Sequence, residues 1–231
     1  MKPLLCNLKS SHDLREMLEY KKIMEALDYP ITLCPSAVFI PVMHSKKYDL
    51  CSQDIASSDE FKTGEISGKS LKSLGVGACL IGHVDLKNRF EDKILKLQHA
   101  LKYQMKVYFL LSDTKQDSDY QYTSEKIMGQ IRAVLSKVSR KDYKRIVFVY
   151  EPSWLADQGV SLDIDMTEKI FQVLKETMEQ ELQFVFPLYY GGGLNKKNLK
   201  PFIESSVIDG LLIGKFSKNP KEFVDYLASI E

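Results

Sequence analysis

The sequence predicts a single (β/α)8 barrel spanning residues 1–231, an α/β fold closed by parallel strands. Three observations carry that prediction. Short apolar runs alternate with longer helical patterns eight times, and parallel neighbours need such crossovers. The 231 residues suit eight units, since such barrels run to about 250. The competing open, doubly wound sheet needs a G-x-G-x-x-G turn after its first strand, and this chain has Cys6-Asn7-Leu8-Lys9 there.

Each element follows from its residues. Pro3 to Leu8 reads as the first strand, and Ser10 or Ser11 can cap a helix through Leu27 whose Leu14, Met17, Leu18 and Ile23 share one face. Ile31–Cys34 is the second strand, and Pro35 turns the chain into Ala37–His44. Tyr48–Gln53 is the third, followed by a polar loop at Asp54–Lys62. Ser67 caps a short helix to Leu74, and Ala78–Ile81 is the fourth strand, with a helix from Asn88 to Tyr103 behind it. Val107–Leu111, a polar linker at Ser112–Tyr120 and a helix at Thr123–Ser139 form the fifth unit. Arg145–Tyr150 and Ile164–Gln180 form the sixth. Phe184–Tyr189 with Lys196–Ser205, and Gly210–Ile213 with Asn219–Ser229, complete the set.

Composition narrows the function. Lys plus Arg is 32 against 31 for Asp plus Glu, so no global field draws the chain to nucleic acid or an anionic membrane. No apolar run reaches the roughly 18 residues of a membrane span, and Met1–Ser11 lacks the apolar core of a secretory signal. Cys6, Cys34, Cys51 and Cys79 form no C-x-x-C pair and sit in apolar runs. They read as small buried hydrophobes of a reduced, cytoplasmic protein, with no metal site and no disulfide framework.

A parallel barrel places its chemistry at the C-terminal ends of its strands. Asn7 and Lys9 end the first, Gly82-His83 the fourth, and Glu151 the sixth. Gly191, Gly192 and Gly193 end the seventh, and Gly214-Lys215 the eighth. Alone, each has a plain reading: a solvated lysine, a structural histidine, a turn glutamate, glycines that supply positive φ. Together they set a carboxylate, an imidazole, an ammonium and two glycine loops on one face. Glycine loops after the seventh and eighth strands bind phosphate through N–H groups. A carboxylate base beside neutral donors suits proton abstraction next to a carbonyl.

The pattern resembles the triosephosphate isomerase family. The resemblance rests on Asn7-Leu8-Lys9, Thr63-Gly64-Glu65-Ile66-Ser67, Ile81-Gly82-His83, Tyr150-Glu151-Pro152-Ser153-Trp154, Tyr190-Gly191-Gly192 and Asp209-Gly210-Leu211-Leu212-Ile213-Gly214. They occur in the family's order, and Gln53 also fits. The resemblance implies a TIM barrel that interconverts dihydroxyacetone phosphate and glyceraldehyde 3-phosphate in glycolysis and gluconeogenesis, with no cofactor. It implies Glu151 as base, His83 as neutral electrophile, Lys9 as stabiliser of the enediolate and phosphate, and Asn7 as an orienting group. Backbone N–H groups around Gly192, Gly193, Gly214 and Lys215 would hold phosphate, and Pro152–Gly159 would close over the site. A homodimer through the loop after the third strand, near Thr63, is implied as well.

The chain departs from the family at several positions. Val84-Asp85-Leu86 follows His83 where Ser-Glu-Arg is usual. Asp157 stands at the first glycine of the closing segment, Gly193 replaces a serine, and Lys215 replaces a glycine. These changes keep two alternatives open: the same chemistry on a longer sugar such as a four-carbon ketose phosphate, or an inactive binding or regulatory barrel.

Overall fold

The computed structural model describes residues 1–60, 63–113, 119–155 and 159–230. Its strands are β1 (Leu4–Asn7), β2 (Ile31–Cys34), β3 (Asp49–Ser52), β4 (Ala78–Ile81), β5 (Lys106–Leu111), β6 (Ile146–Tyr150), β7 (Leu188–Gly191) and β8 (Gly210–Ile213). They close in sequence order, all parallel, with β1 paired to β8 through Leu4 and Leu211. The helices are α1 (Leu14–Glu25), α2 (Gly68–Ser73), α3 (Phe90–Lys102), α4 (Tyr120–Leu135), α5 (Ile164–Leu182), α6 (Leu199–Glu204) and α7 (Pro220–Ile230). The expected eight-unit barrel is what the chain forms. Its second crossover is a one-sided 3-10 segment, Ala37–Met43, rather than an α-helix.

Alternation along the strands builds two cores. Leu5, Cys34, Cys51, Leu80, Tyr108, Leu110, Val147, Val149, Tyr189 and Leu212 fill the barrel interior. Their neighbours Leu4, Cys6, Leu33, Phe109, Phe148, Tyr190 and Ile213 face the helices. Successive side chains point to opposite faces of a strand. Inward parity therefore carries past Leu5 to Asn7, past Cys51 to Gln53 and past Val149 to Glu151. All four cysteines are buried, and burial pushes the Cys6 thiol up to about 12. No helix of the described residues is long and apolar enough to cross a membrane.

Several boundaries differ from the sequence-based expectation, each for a local reason. Asp13, not Ser10 or Ser11, caps α1: it accepts from Glu16 N–H at 2.8 Å while Glu16 accepts from Asp13 N–H at 2.8 Å. That reciprocal box satisfies two of the helix's orphan donors, and Ser11 Oγ instead donates to the Leu8 carbonyl. Asp119 caps α4 from Tyr120 onward by accepting from Gln121 N–H. Strand β7 starts at Leu188, not Phe184. Pro187 lacks an N–H for the ladder, and Phe184 and Phe186 pack edge-on or tilted against Tyr143 outside it. Helix α6 starts at Leu199, because Asn195–Asn198 forms a separate turn.

Candidate active site

The polar strand ends converge on one cleft of about 1220 Å³ lined by Asn7, Lys9, His83, Glu151, Gly192, Gly193, Gly214 and Lys215, among others. All eight residues expected from the sequence are therefore brought to one mouth. The cleft continues outward between α1 and α7, past His12 and Lys218.

Asn7 is buried at the end of β1, and its Oδ1 accepts from Lys9 N–H at 3.1 Å. That turn holds Lys9 at φ 49°, a left-handed conformation that costs a non-glycine residue energy. Gln53 secures it further, donating to the Lys9 carbonyl at 2.8 Å and the Cys34 carbonyl at 2.9 Å. The Lys9 ammonium reaches Asp85 Oδ2 at 2.8 Å. Burial works against ionisation of Asp85. The Lys9 hydrogen bond, the nearby imidazole and the Lys9 charge outweigh it, so its carboxyl lies below the ordinary carboxylate range.

His83 falls out of the inward alternation of β4. Gly82 corrects this, because its φ of +87° swings the chain over. That conformation favours glycine, whereas the space does not demand it, because a Cβ there would meet only the movable end of Lys93, with Cδ at 2.9 Å. His83 Nδ1 accepts from Asp85 N–H at 3.2 Å, and Nε2 lies 3.9 Å from Glu151 Oε2. An Nδ1 that accepts leaves the ring proton on Nε2, directed into the cleft. The segment after His83 is a single 3-10 turn, Val84–Leu86.

Glu151 follows β6, anchored by its N–H to the Leu111 carbonyl at 2.9 Å, with its side chain only 17% exposed. Just beyond, Ser153 N–H donates to the Asp113 carbonyl at 3.0 Å. Burial raises the Asp113 carboxyl, against opposing hydrogen bonds that include Tyr150 and Trp154. Asp157 lies outside the described residues. Gly192 and Gly193 take φ 137° and 60°, and Lys215 is exposed at the start of a 3-10 turn, Lys215–Lys218, after Gly214.

Two contributors, Asn195 and Asn198, gave no clear sequence signal. Asn195, Asn198 and the Tyr190 hydroxyl hold the 159–162 segment against the β7 turn. The only local hint is an Asn-x-x-Asn spacing after three glycines. Among the described residues no group of three His, Cys, Asp or Glu side chains is placed to hold a metal ion.

A family model described as triosephosphate isomerase matches residues 3–230. The chain is 30% identical to the triosephosphate isomerase of Mesomycoplasma hyopneumoniae over 210 residues, 87% of this chain and 83% of that protein. It is 28% identical to that of Chloroherpeton thalassium over 211 residues, with the same coverage of both chains. It is 31% identical to that of Dictyoglomus turgidum over 175 residues, 72% of this chain and 70% of that one.

Proposed function

The chain belongs to the triosephosphate isomerase family, and from that premise we propose that it interconverts dihydroxyacetone phosphate and glyceraldehyde 3-phosphate through an enediolate. The observation that carries the residue roles is the Glu151–His83 pair: a mostly buried carboxylate 3.9 Å from an imidazole Nε2, in one cleft with Lys9.

In this reading Glu151 takes the proton from the carbon bearing the hydroxyl and returns it to the neighbouring carbon. His83 donates from Nε2 to the carbonyl oxygen as negative charge builds there. Fixed donors aimed at developing charge are usually the largest catalytic contribution. Lys9 stabilises the enediolate and the phosphate, and Asn7 orients the substrate. Lys9 and Asp85 are about half exposed, and such pairs are worth only about 0–1 kcal/mol. Lys9 can therefore turn from Asp85 to an arriving anion at small cost. Backbone N–H groups at Gly192–Gly193 and Gly214–Lys215 receive the phosphate, and the Lys215 ammonium adds charge beside it. The expected closing segment, Pro152–Gly159, includes residues 156–158, which lie outside the described residues; its described flanks, Pro152 and Gly159, line the cleft that the closed site would seal against water.

The substrate is a small sugar phosphate. The cleft's extension between α1 and α7 favours one second reading, a ketose phosphate longer by one carbon. A cytoplasmic homodimer completes the proposal. The loop after β3 is braced on its own barrel, by Asp54 to Lys96 at 2.5 Å and Asp59 to the Tyr103 hydroxyl at 2.7 Å. Bracing holds the described part of that loop, residues 54–60, in place for a second copy to receive. A coupled assay with triose phosphate and with a four-carbon ketose phosphate tests the function. Turnover of neither would overturn it, and a preference for the longer sugar would select the second reading.

A further inference from the structure

The glycine turn after β7 does more than cradle an anion. A Cβ built on Gly193 would lie 1.9 Å from the Val160 carbonyl oxygen, and the residue holds φ +60°. No side chain fits there, so the backbone at 159–162 rests directly on the turn. Two side-chain amides then fasten it. Asn195 Nδ2 donates to the Gly159 carbonyl at 3.0 Å and to the Gly193 carbonyl at 2.9 Å. Asn198 Nδ2 donates to Ser161 Oγ at 3.1 Å and to the Gly193 carbonyl at 3.1 Å. Each amide thus bridges the turn and the segment lying on it.

The oxygens of the same amides aim the donors. Asn198 Oδ1 accepts from Asn195 N–H at 2.8 Å, and Asn195 Oδ1 accepts from Lys197 N–H at 2.9 Å. Asn198 is also the residue before the first turn of α6. There an asparagine ordinarily accepts from the helix's own free N–H groups. It makes no such bond here. Its side chain is committed to the Asn195 turn and to the facing segment instead.

We propose that Asn195 and Asn198 form a latch holding the 159–162 segment on the β7 turn, and that they are positioning residues which keep the enediolate enclosed until it is reprotonated. The inference deepens the isomerase reading and rests on it. An enediolate phosphate exposed to water has a side reaction. Its electron pair breaks the carbon–oxygen bond to phosphate, phosphate leaves with the bonding pair, and the remaining enol tautomerises to 2-oxopropanal. The sum is one triose phosphate giving 2-oxopropanal and hydrogen phosphate. A loosened latch therefore leaks phosphate, which a general loss of activity does not.

The test uses the full chain and the variants Asn195→Ala, Asn198→Ala, Ser161→Ala and the double Asn198→Ala/Ser161→Ala. Isomerisation kcat and KM are measured with inorganic phosphate released per turnover, and amide exchange is followed at Leu162, whose N–H bonds the Tyr190 hydroxyl at 2.8 Å. A lost hydrogen bond shifts an equilibrium about two- to tenfold. Phosphate per turnover should rise by that factor in each asparagine variant, and exchange at Leu162 should quicken. Ser161→Ala removes one bond from the other side without touching the turn. The double variant should then leak less than the product of its two singles, as coupled partners do. Phosphate release at the parent level in both asparagine variants overturns the latch, even if kcat falls. So does unchanged exchange at Leu162. A parent protein that turns over no triose phosphate overturns the isomerase reading instead, and exchange at Leu162 still decides the latch.

Discussion

The sharpest test of the proposed mechanism moves one carboxylate. Glu151 Oε2 sits 3.9 Å from His83 Nε2, and its backbone is pinned to the Leu111 carbonyl. Glu151→Asp keeps the charge and the anchor but withdraws the carboxylate by one carbon–carbon bond, about 1.5 Å. A displacement of that order costs about 10²-fold when a reacting group must stand in contact with its proton. Glu151→Gln keeps the length and removes the base, which costs about 10²–10⁴-fold. Both changes should fall on kcat and leave KM within a few-fold, because neither removes a phosphate contact. The assay couples triose phosphate turnover to a dehydrogenase, with proton exchange from solvent into substrate followed by NMR. The Gln variant should lose isomerisation and exchange together, while both proteins melt at the parent temperature. Near-parental kcat in Glu151→Gln would refute the base assignment. Equal activity in Asp and parent would refute the positional argument while leaving the chemistry standing.

Four further outcomes follow from the same site. Lys9→Met should nearly abolish turnover by removing the ammonium that β1 sets in the cleft; retention of a tenth of the parental kcat/KM would count against it. His83 should carry its donating proton on Nε2, as the bond from Asp85 N–H to Nδ1 requires; a nitrogen-resolved NMR spectrum showing the Nδ1–H tautomer would contradict this, as would His83→Gln lowering stability without lowering kcat. The Asp85 carboxyl lies below its unfolded value of about 3.9. Its ion pair with Lys9 therefore contributes above about pH 4 and is lost as pH falls through the lowered folded value, so acid unfolding of Asp85→Asn should show a shallower decline below pH 4 than the parent. Sedimentation at micromolar concentration should show a dimer, and a fully active monomer would exclude it.

Much of the barrel was legible because its physics is periodic. Inward positions along β1 and β6 are Leu5 then Asn7, and Val147, Val149 then Glu151. A polar residue that continues the inward parity just past a strand announces itself without coordinates. His83 breaks that parity, and the glycine before it is the trace of the correction. The start of β7 was not legible, since Phe184–Tyr189 is apolar almost throughout. Pro187, which lacks an N–H for the ladder, and the aromatic contacts with Tyr143 distinguish its first residues from strand. The capping box at Asp13 was legible in principle, because Asp13-x-x-Glu16 is its sequence form. The serines before it offered a competing cap. Asn195 and Asn198 were beyond reach for a different reason. Their partners, Gly159 and Ser161, lie more than thirty residues away in another loop, and nothing periodic links the two.

This division has a physical origin that bears on how the site works. The barrel interior beneath the cleft is closed by Leu80, Leu110, Val149, Tyr189 and Leu212, all buried. Such a floor excludes water from below and lowers the local dielectric. Hydrogen bonds and charges above it then act more strongly than at a surface. The strands provide that floor with interchangeable apolar residues, so it reads from pattern alone. The lid of the same enclosure is made by loops, where a few specific bonds replace apolar area. Enclosure from below is thus stable with the fold, whereas enclosure from above rests on contacts worth about 1 kcal/mol each. The upper half can open for substrate and product while the floor stays dry. A substitution in the floor, such as Leu110→Ala, should therefore lower stability by about 2–5 kcal/mol through the cavity it leaves. It should do so without raising phosphate release per turnover, the reverse of what loosening the loops above would do. Urea unfolding and the phosphate assay on one preparation separate the two. A Leu110→Ala protein that leaks phosphate while keeping its stability would show that the floor, and not the loop contacts, governs enclosure.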